Sequence, residues 1–588
     1  MSDAEALPPR QRRRLSERLT RLYGAAAVPS LLDRIGESVN RLAAERPEVG
    51  FTERVLRHDP VLITYADQVT APGAAPIGVL HRWLEHRLHD VLDSVHILPF
   101  YPWSSDDGFA VIDYREVAPA LGDWATVERF AQRFNLMVDA VINHVSAESP
   151  WVEAFRRGDP PWAGYFRVVR PDENLSAVVR PRTTPLTCPI DTVEGEKRVW
   201  TTFSADQIDL DYANPDVLAE VIDVLLFYVA RGAKLIRLDA VSYLWKASGT
   251  PCINLPETHD CIRAMRDVLD AVAPGVAVVT ETNVPHDENV AYFGDGTDEA
   301  QMVYQFALPP LLLDAARRGS AGRLTQWAAS LRLPAPDCCF FNITATHDGI
   351  GLRGAQAWLP AEDIDALAGM AEARGGAVAY RTTEAGPRAY ELDITFFDVL
   401  LPPGEDPASE TAIQRYLTIQ AVALSLAGVP GIYFHNLFGT RCDRSRMAGL
   451  DPDATTTKRL LNRRRFEEAE LEALLADPVG RERRIFERYC ALLRTWRGHP
   501  AFAPAAPQTV LALDDAVFAV RRGPVSDGQS APDRTSGPGE VLCLHAFADT
   551  PRTVALPGEG PWLDLASGKT VTGPDLTLDP FAMAWLAR

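Results

Sequence analysis

The sequence predicts a (β/α)8 barrel with two insertions on its catalytic face and a C-terminal antiparallel β-domain. From about residue 60, short apolar runs with strand character alternate with amphipathic helical segments. An open, doubly wound sheet rarely continues through eight such repeats, whereas eight close a barrel. Three of the runs also stop on a carboxylate, at the strand end where barrels carry their functional side chains.

The eight predicted strands have the apolar pattern of buried strands. They are residues 60–66, 94–100, 136–144, 233–240, 276–282, 301–307, 338–346 and 430–435. Amphipathic helices are predicted between and after them, at residues 79–92, 124–134, 216–231, 259–272, 311–329, 413–426 and 483–497. This regular alternation justifies the barrel over separate α and β domains.

Two connections are longer than ordinary loops, one after the third strand and one after the seventh. Both leave the catalytic face, so we expect both to shape the substrate pocket. Short alternating runs at 509–513, 517–521 and 541–546 predict the C-terminal β-domain, with a mobile loop at 526–539. The predicted domains are a helical N-terminal extension (1–55), the barrel (56–144, 211–348 and 410–500), the insertions (145–210 and 349–409) and the C-terminal domain (501–588).

The carboxylates at three strand ends are Asp239, Glu281 and Asp348. Cleaving a glycosidic bond with retention needs a carboxylate nucleophile and a carboxylic acid about 5 Å apart. A third carboxylate can stabilise the positive charge that develops on the sugar. A single strand-terminal Asp is more often a helix N-cap. Arg237, on the same strand face as Asp239, and His347, beside Asp348, favour a shared site over three unrelated caps.

Composition excludes several classes of function. A net charge of −20 and a pI of about 5.1 argue against nucleic acid or anionic membranes as partners. The eight cysteines have no CxxC spacing and are expected to be reduced thiols of a cytoplasmic protein. Neither a signal peptide nor an apolar run of about 20 residues is found. The histidines have no metal-ligand spacing, so we expect no metal and no cofactor.

Four motifs, in order, resemble those of the α-amylase superfamily of glycosidases and transglycosidases. They occupy residues 139–144, 237–239, 281–283 and 347–348, and the resemblance extends over about residues 60–588. It implies that Asp239 is the nucleophile, Glu281 the general acid/base and Asp348 the stabiliser of the transition state.

The same resemblance assigns supporting roles. Arg237 would keep the nucleophile ionised and oriented, while His144 and His347 would bind sugar hydroxyls. Asn143 matches a position that binds calcium in some amylases, but the phosphorylase members of the superfamily generally lack that ion.

Within the superfamily, residues 96–109 and 201–207 resemble the sucrose phosphorylase group. The resemblance implies that Asp106 binds a far hydroxyl of glucose and Phe109 stacks on the ring. Phe203 and Gln207 would contact the donor sugar. Arg459 would pair with Asp106 and close a pocket that holds one glucose.

Residues 242–246, 255–259 and 281–286 resemble glucosylglycerate phosphorylases in particular. So does the stretch that contains Tyr390 and Glu391, which we therefore place in the substrate site. The N-terminal extension also makes this chain longer than is usual for sucrose phosphorylases. The expected substrate is 2-O-α-D-glucosyl-D-glycerate, and the expected product is α-D-glucose 1-phosphate.

The expected reaction has two steps with net retention, through a β-glucosyl-aspartate intermediate. Phosphate and glycerate are both anions, so they would share a basic acceptor site, for which the candidates are Arg353, Arg381 and Arg388. The expected partners are thus a sugar glycoside and inorganic phosphate, without nucleic acid or membrane. Oligomeric state is left open, with a homodimer among the alternatives.

Other functions stay open at this point. A sucrose or sucrose 6-phosphate phosphorylase would share the donor site, and an amylase-like glucosidase or transglucosylase would differ in the second step. A non-catalytic scaffold related to amylases is disfavoured, because such proteins lose the carboxylates and carry a membrane span.

Overall fold

The computed structural model describes residues 7–46, 59–383, 386–452, 454–523, 539–558 and 561–588. Eight parallel strands close into a barrel in chain order, with the last strand pairing with the first. They are β1 (Val61–Thr64), β2 (Ser94–Ile97), β3 (Asn135–Ala140), β4 (Ala233–Leu238), β5 (Ala277–Thr280), β6 (Met302–Tyr304), β7 (Cys339–Ile343) and β8 (Val429–Tyr433). The predicted barrel is confirmed.

Burial explains why the barrel strands read as continuous apolar runs. Every residue of β1, β2 and β5 to β8 is buried, because helices cover the outer face while side chains fill the interior. Period-two alternation, the usual mark of a half-buried strand, is therefore absent from these runs.

Helices surround the barrel and form most of its connections. The described residues contain α1 (Pro9–Tyr23), α2 (Val28–Glu45), α3 (Pro76–Leu88), α4 (Trp124–Arg133), α5 (Pro150–Arg157), α6 (Pro215–Ala230), α7 (Pro256–Val272), α8 (His286–Val290), α9 (Leu308–Arg318), α10 (Gly322–Ser330), α11 (Ala361–Ala373), α12 (Phe396–Leu400), α13 (Glu410–Ser425), α14 (Thr455–Arg459), α15 (Glu468–Ala476) and α16 (Arg481–Gly498). Asp123 caps α4 by accepting a 2.8 Å hydrogen bond from the backbone N–H of Thr126, and proline begins α3, α6 and α7.

The single helix predicted over residues 311–329 is wrong. The chain forms two helices there, α9 and α10, which are separated at Gly319. Gly319 has φ +63°, a left-handed conformation that ends α9 and that glycine adopts without steric cost.

Two groups of elements follow the third and seventh strands. The first holds α5, the hairpin Thr187–Thr192 with Gly195–Trp200, and the antiparallel pair His144–Ser146 with Gln207–Asp209. The second holds α11, α12 and a three-stranded antiparallel sheet in the order Ile350–Gly351, Gly386–Asp393 and Ala377–Thr383. A short parallel pair, Val69–Thr70 with Phe466–Glu467, lies beside β1.

The N-terminal helices pack on the barrel exterior. α1 lies against α7, and α2 lies against α6. Arg34 on α2 joins the two layers, with ion pairs of 2.8 Å to Asp216 and 2.9 Å to Glu220. No helix among the described residues has the length and apolar character needed to cross a bilayer.

The C-terminal residues form an antiparallel sheet, as predicted. Its strand order is Gln508–Asp514, Val517–Arg522, Val541–Ala546, Met583–Ala587, Trp562–Asp564 and Thr570–Val571, with a separate pair of Arg552–Ala555 and Asp575–Leu578. Buried Trp585 joins this sheet to the barrel, because its indole N–H donates to the hydroxyl of Ser425 on α13 at 3.1 Å. Apart from Gly539, the mobile loop predicted at 526–539 lies outside the described residues.

Candidate active site

Three carboxylates meet at the carboxyl ends of the barrel strands and line one cavity. Asp239 follows β4, Glu281 follows β5, and Asp348 lies beyond the end of β7. The barrel ladder fixes the first two, since the N–H of Asp239 donates to the Ala140 carbonyl and that of Glu281 to the Leu238 carbonyl, both at 3.1 Å. Three strand ends distant in sequence therefore form one acidic group.

A buried arginine compensates the charge of this group. The Arg237 guanidinium lies 2.9 Å from Oδ1 of Asp239 and 3.7 Å from Oε2 of Glu281, and it also pairs with buried Asp139. The other Asp139 oxygen lies 2.7 Å from Nε2 of His96. Arg237 thus stands behind the cavity and holds one oxygen of Asp239, while Oδ2 has no hydrogen-bond or ion-pair partner within the part of the chain that the structure describes.

The environments of the carboxyl groups shift their pKa values. Burial raises the pKa of Glu281 above its usual range, and the nearby Asp348 carboxylate adds to this rise while Arg237 opposes it. Burial also raises the pKa of Asp239, with Arg237 opposing and Glu281 adding. The pair therefore competes for a proton. Because Asp239 has the closer contact with Arg237, we assign that proton to Glu281.

A strained residue also orients Glu281. Ala240 directly follows Asp239 and has φ +49°, in the left-handed region that alanine rarely adopts. In this conformation its N–H donates to Oε2 of Glu281 at 3.2 Å. Such strain, on the order of 1–3 kcal/mol, persists only where the surrounding structure enforces it.

Arg459 connects the third carboxylate to the far end of the cavity. It lies 2.8 Å from Asp348, 3.0 Å from Glu391 and 3.5 Å from Asp106. Burial acts to raise the pKa of Asp348, but the neighbouring positive charges, of which Arg459 has the largest effect, together outweigh burial and hold that pKa well below its usual range. The predicted pairing of Arg459 with Asp106 is present, within a wider set of contacts.

Arg463 belongs to the same network and was missed by the sequence analysis. Its Nε donates to the His347 carbonyl at 2.8 Å, and its guanidinium lies 3.3 Å from Asp348 and 3.4 Å from Asp107. Its position four residues after Arg459 was the available signal, because residues at that spacing share a face where the chain is helical.

The loop that carries Asp106 has an unusual backbone. Asp106 and Asp107 both have positive φ angles, of 54° and 48°. Gly108 follows with φ +114°, and a Cβ atom there would lie 2.6 Å from the Pro99 carbonyl oxygen. Arg446 holds the loop from outside through a 2.8 Å ion pair with Asp107. The loop conformation is therefore fixed before a sugar binds.

Phe109 lines the cavity, and His347 lies behind it. The two rings stack in parallel, with centroids 4.7 Å apart and an interplanar angle of 4°. His347 itself is not among the cavity-lining residues, although the sequence analysis assigned it to sugar hydroxyls. Burial lowers its pKa well below the usual range, so the ring supports Phe109 as a neutral group.

The side wall contains the other predicted donor-site residues. His144 Nε2 lies 2.9 Å from the Phe109 carbonyl and 3.2 Å from Nε2 of Gln207. The Phe203 ring packs at 5.2 Å from the His144 ring. Burial lowers the pKa of His144, which therefore acts as a neutral hydrogen-bonding group. All three residues line the cavity.

An ammonium group fills the position next to Asn143. Lys246 Nζ lies 2.8 Å from Oδ1 of Asn143 and 2.9 Å from Oδ2 of Asp209. Asp209 also accepts hydrogen bonds from the N–H of Thr202 at 2.8 Å and from its hydroxyl at 2.6 Å. The oxygen atoms that could serve a cation here are thus already paired with a lysine, which joins the first insertion to the barrel.

A cluster of arginines lies near two tyrosines of the cavity lining, one of which, Tyr243, packs against Phe203. Tyr243 and Tyr390 line the cavity, and the charges of Arg182 and Arg353 act to lower the pKa of both tyrosines, which burial raises. Arg381 lies close to Arg353, which together with burial lowers its pKa. Among the described residues, none of these three arginines forms an ion pair with a carboxylate.

The cavity is narrow, and the space open to the centre of a water-sized sphere is about 50 Å³. Its lining includes most of the predicted site residues and several that were not predicted: Arg182, Ala240, Ser242, Tyr243, Thr282 and Asn283. Arg388, a predicted acceptor residue, is exposed on the strand partnering Arg381. Within the described residues, no cluster of His, Cys, Asp and Glu is arranged to hold a metal ion.

The family model described as the catalytic domain of alpha amylase matches residues 89–330. A glucosylglycerate phosphorylase of Allomeiothermus silvanus is 46% identical over 581 residues, which cover 99% of each chain. A glucosylglycerate phosphorylase of Escherichia coli is 36% identical, over 98% of this chain and 100% of that one.

A solved structure with the same fold is that of sucrose 6F-phosphate phosphorylase from Thermoanaerobacter thermosaccharolyticum. It superposes with a TM-score of 0.71 at 22% identity, over 89% of this chain and 99% of that chain. At this identity the likeness supports the fold.

We predict that Lys246→Met destabilises the protein. The change leaves buried Asp209 without its cation, and breaking a buried ion pair in this way costs about 3–5 kcal/mol. The measurement is the midpoint of thermal unfolding by calorimetry. Lys197→Met is the matched control, because Lys197 pairs with the exposed Glu194 and such pairs contribute about 0–1 kcal/mol. Equal shifts for the two variants would contradict the role of Lys246.

Proposed function

Since this chain belongs to the α-amylase family, and within it to the glucosylglycerate phosphorylases, we propose that it transfers glucose from 2-O-α-D-glucosyl-D-glycerate to phosphate. The observation that carries the proposed mechanism is the group of Asp239, Glu281 and Asp348 around one small cavity. Two of these carboxyls compete for a proton, and Arg459 together with other nearby positive charges keeps the third ionised. Such a set suits a retaining transfer.

In the first step, Oδ2 of Asp239 attacks the anomeric carbon. The bond between that carbon and the glycerate oxygen breaks, and Glu281 gives its proton to the leaving oxygen. Arg237 orients the nucleophile through Oδ1, and the Ala240 N–H orients the acid. The product of this step is a β-glucosyl ester of Asp239, with Glu281 now ionised.

The closed end of the cavity, where Arg459 pairs with Asp106, would hold the glucose. Asp106 and Glu391 have carboxylate oxygens that can accept hydrogen bonds from sugar hydroxyls. One face of the Phe109 ring can stack on the sugar, and His347 stacks behind that ring. Arg459 ties Asp106, Glu391 and Asp348 together and closes this end. A closed end accepts a single sugar ring, which fits a phosphorylase better than an enzyme for long glucan chains.

In the second step, an oxygen of hydrogen phosphate attacks the anomeric carbon from the face that glycerate left, the bond to Asp239 breaks, and the phosphate proton returns to Glu281. Phosphate is already anionic, so it needs cationic neighbours more than it needs a base. Arg182 lines the cavity and Arg353 lies close to Tyr243 and Tyr390. We assign these arginines, with Arg381, to the phosphate group and, in turn, to the glycerate carboxylate.

The acceptor is tested in the reverse direction. Purified protein with α-D-glucose 1-phosphate should release phosphate rapidly when D-glycerate is added, and much more slowly with fructose, fructose 6-phosphate, glycerol or water alone. Strong dependence on fructose or on fructose 6-phosphate would instead assign the protein to sucrose or sucrose 6-phosphate phosphorylases. Equal release without any acceptor would mean that water takes the glucosyl group, and the phosphorylase function would be wrong.

The role of Glu281 is tested by pH dependence. Since its pKa is raised, Glu281 stays protonated to higher pH than an ordinary carboxyl, and the rate with glucosylglycerate should fall as pH rises through that pKa. Glu281→Gln should lower kcat/KM for this substrate by about 10²–10⁴-fold. The leaving group of α-glucosyl fluoride needs little protonation. With this substrate, the rate at which Glu281→Gln forms the glucosyl-enzyme should therefore decrease far less, and it should not fall as pH rises. An equal loss with both substrates would contradict the assignment.

The arginine cluster is tested by Arg353→Met, which keeps much of the side-chain bulk without its charge. KM for phosphate and for D-glycerate should both rise, by about tenfold or more for the loss of a charge-assisted hydrogen bond. Arg332→Met is the control, since Arg332 is exposed and donates to the Ala329 and Leu331 carbonyls on α10 and its C-cap. A rise for one anion only would show that the two do not share this residue.

A further inference from the structure

The last residue of helix α1 contacts two segments that continue to the active site. The Tyr23 hydroxyl donates to the Tyr212 carbonyl at 3.0 Å. Its ring centroid lies 6.2 Å from that of Trp245, with an interplanar angle of 41°. Tyr212 follows the strand that ends at Asp209, and Trp245 precedes Lys246. Tyr23 therefore joins the N-terminal extension to the first insertion and to the loop after β4.

Helix α1 is itself firmly attached to the barrel. Leu15 and Leu19 are buried against it, and Arg18 pairs with Asp267 on α7 at 2.6 Å. Arg21 forms a bidentate pair with Asp260, with distances of 2.7 and 2.8 Å. Bidentate arginine pairs fix geometry as well as charge. Tyr23 thus ends a helix whose position is set by α7, which makes it a rigid support.

The loop that Tyr23 supports forms one wall of the cavity. Residues 241–246 include Ser242 and Tyr243, which both line the cavity. On the inner side, the Tyr243 ring packs edge-on against Phe203, with centroids 5.6 Å apart. On the outer side, the Trp245 N–H donates to the Thr258 hydroxyl at 3.3 Å. Tyr23 packs against this same loop through Trp245.

We propose that Tyr23 is a positioning residue for the acceptor side of the active site. Through Trp245, the N-terminal extension holds Tyr243 against the arginine cluster where phosphate and glycerate bind; this inference rests on the proposed function. Among the described residues, Asp106 and Arg459 at the closed end form no hydrogen bond, ion pair or ring contact with Tyr23 or Trp245, whereas the donor-site residue Phe203 packs against Tyr243. Loss of the Tyr23 ring therefore weakens capture of the acceptor more than it weakens binding of glucose.

The test uses the full-length chain with Tyr23→Ala, Tyr23→Leu and Tyr23→Phe. For each variant, KM for phosphate and for D-glycerate, kcat, and the ratio of free glucose to transferred glucose are measured, together with the thermal midpoint. Tyr23→Phe keeps the ring contact with Trp245 and loses only the hydrogen bond to Tyr212. Arg34→Ala is the control, because it removes ion pairs of the same extension on α2, away from residues 241–246.

Tyr23→Ala should raise both acceptor KM values by about tenfold, as small misplacements at a site can do, and should increase the share of hydrolysis. Tyr23→Phe should stay close to the parent chain, and Arg34→Ala should change stability without changing that share. If Tyr23→Ala does not fold, the same measurements on Tyr23→Leu test the proposal. Unchanged acceptor KM values and hydrolysis share in the alanine or leucine variant would overturn the proposal. A parent chain that shows no acceptor dependence would instead overturn the proposed function.

Discussion

The active site depends on neutralising several carboxylates that the barrel brings together out of water. Asp139, Asp239 and Glu281 surround Arg237, while Asp106, Asp348 and Glu391 surround Arg459. Without these guanidinium groups, burial of so much like charge would cost several kcal/mol per ion. The two arginines also differ in their effect on the ionisation of the carboxyl groups around them. Arg459 keeps Asp348 ionised, whereas Arg237 lies nearer to one member of the Asp239–Glu281 pair than to the other. In the proposed mechanism, that asymmetry separates the nucleophile from the acid.

Much of the fold could be predicted because parallel strands are buried on both faces. Runs such as those ending at Asp239 and Glu281 are apolar throughout, and their order alone indicated a barrel with its carboxylates at one end. The break between α9 and α10 was missed, because it depends on the left-handed backbone of Gly319 inside a segment that is apolar at helical spacing. Local pattern does not reveal which glycine ends a helix.

The site could be predicted where motifs lie next to strand ends, and not where contacts join distant segments. Arg463 and Arg182 come from segments far in sequence from the ends of the barrel strands, so their approach to Asp348 and to Phe203 is set by tertiary structure. His347 differs from its neighbour Asp348: its ring stacks behind Phe109 while Asp348 lines the cavity, and its contact with sugar hydroxyls stays a prediction. Neighbours in sequence can thus lie on different sides of the cavity wall.

Lys246 makes the positive charge at this position independent of the ions in solution. The ammonium between Asn143 and Asp209 is tethered by a covalent side chain, so its local concentration is set by geometry and not by the medium. Chelators and dilution remove diffusible ions, but they cannot remove this covalently attached ammonium group. The wall shared by the first insertion and the barrel therefore keeps its central charge through fluctuations in divalent-ion supply, at the expense of any regulation by such ions at this position.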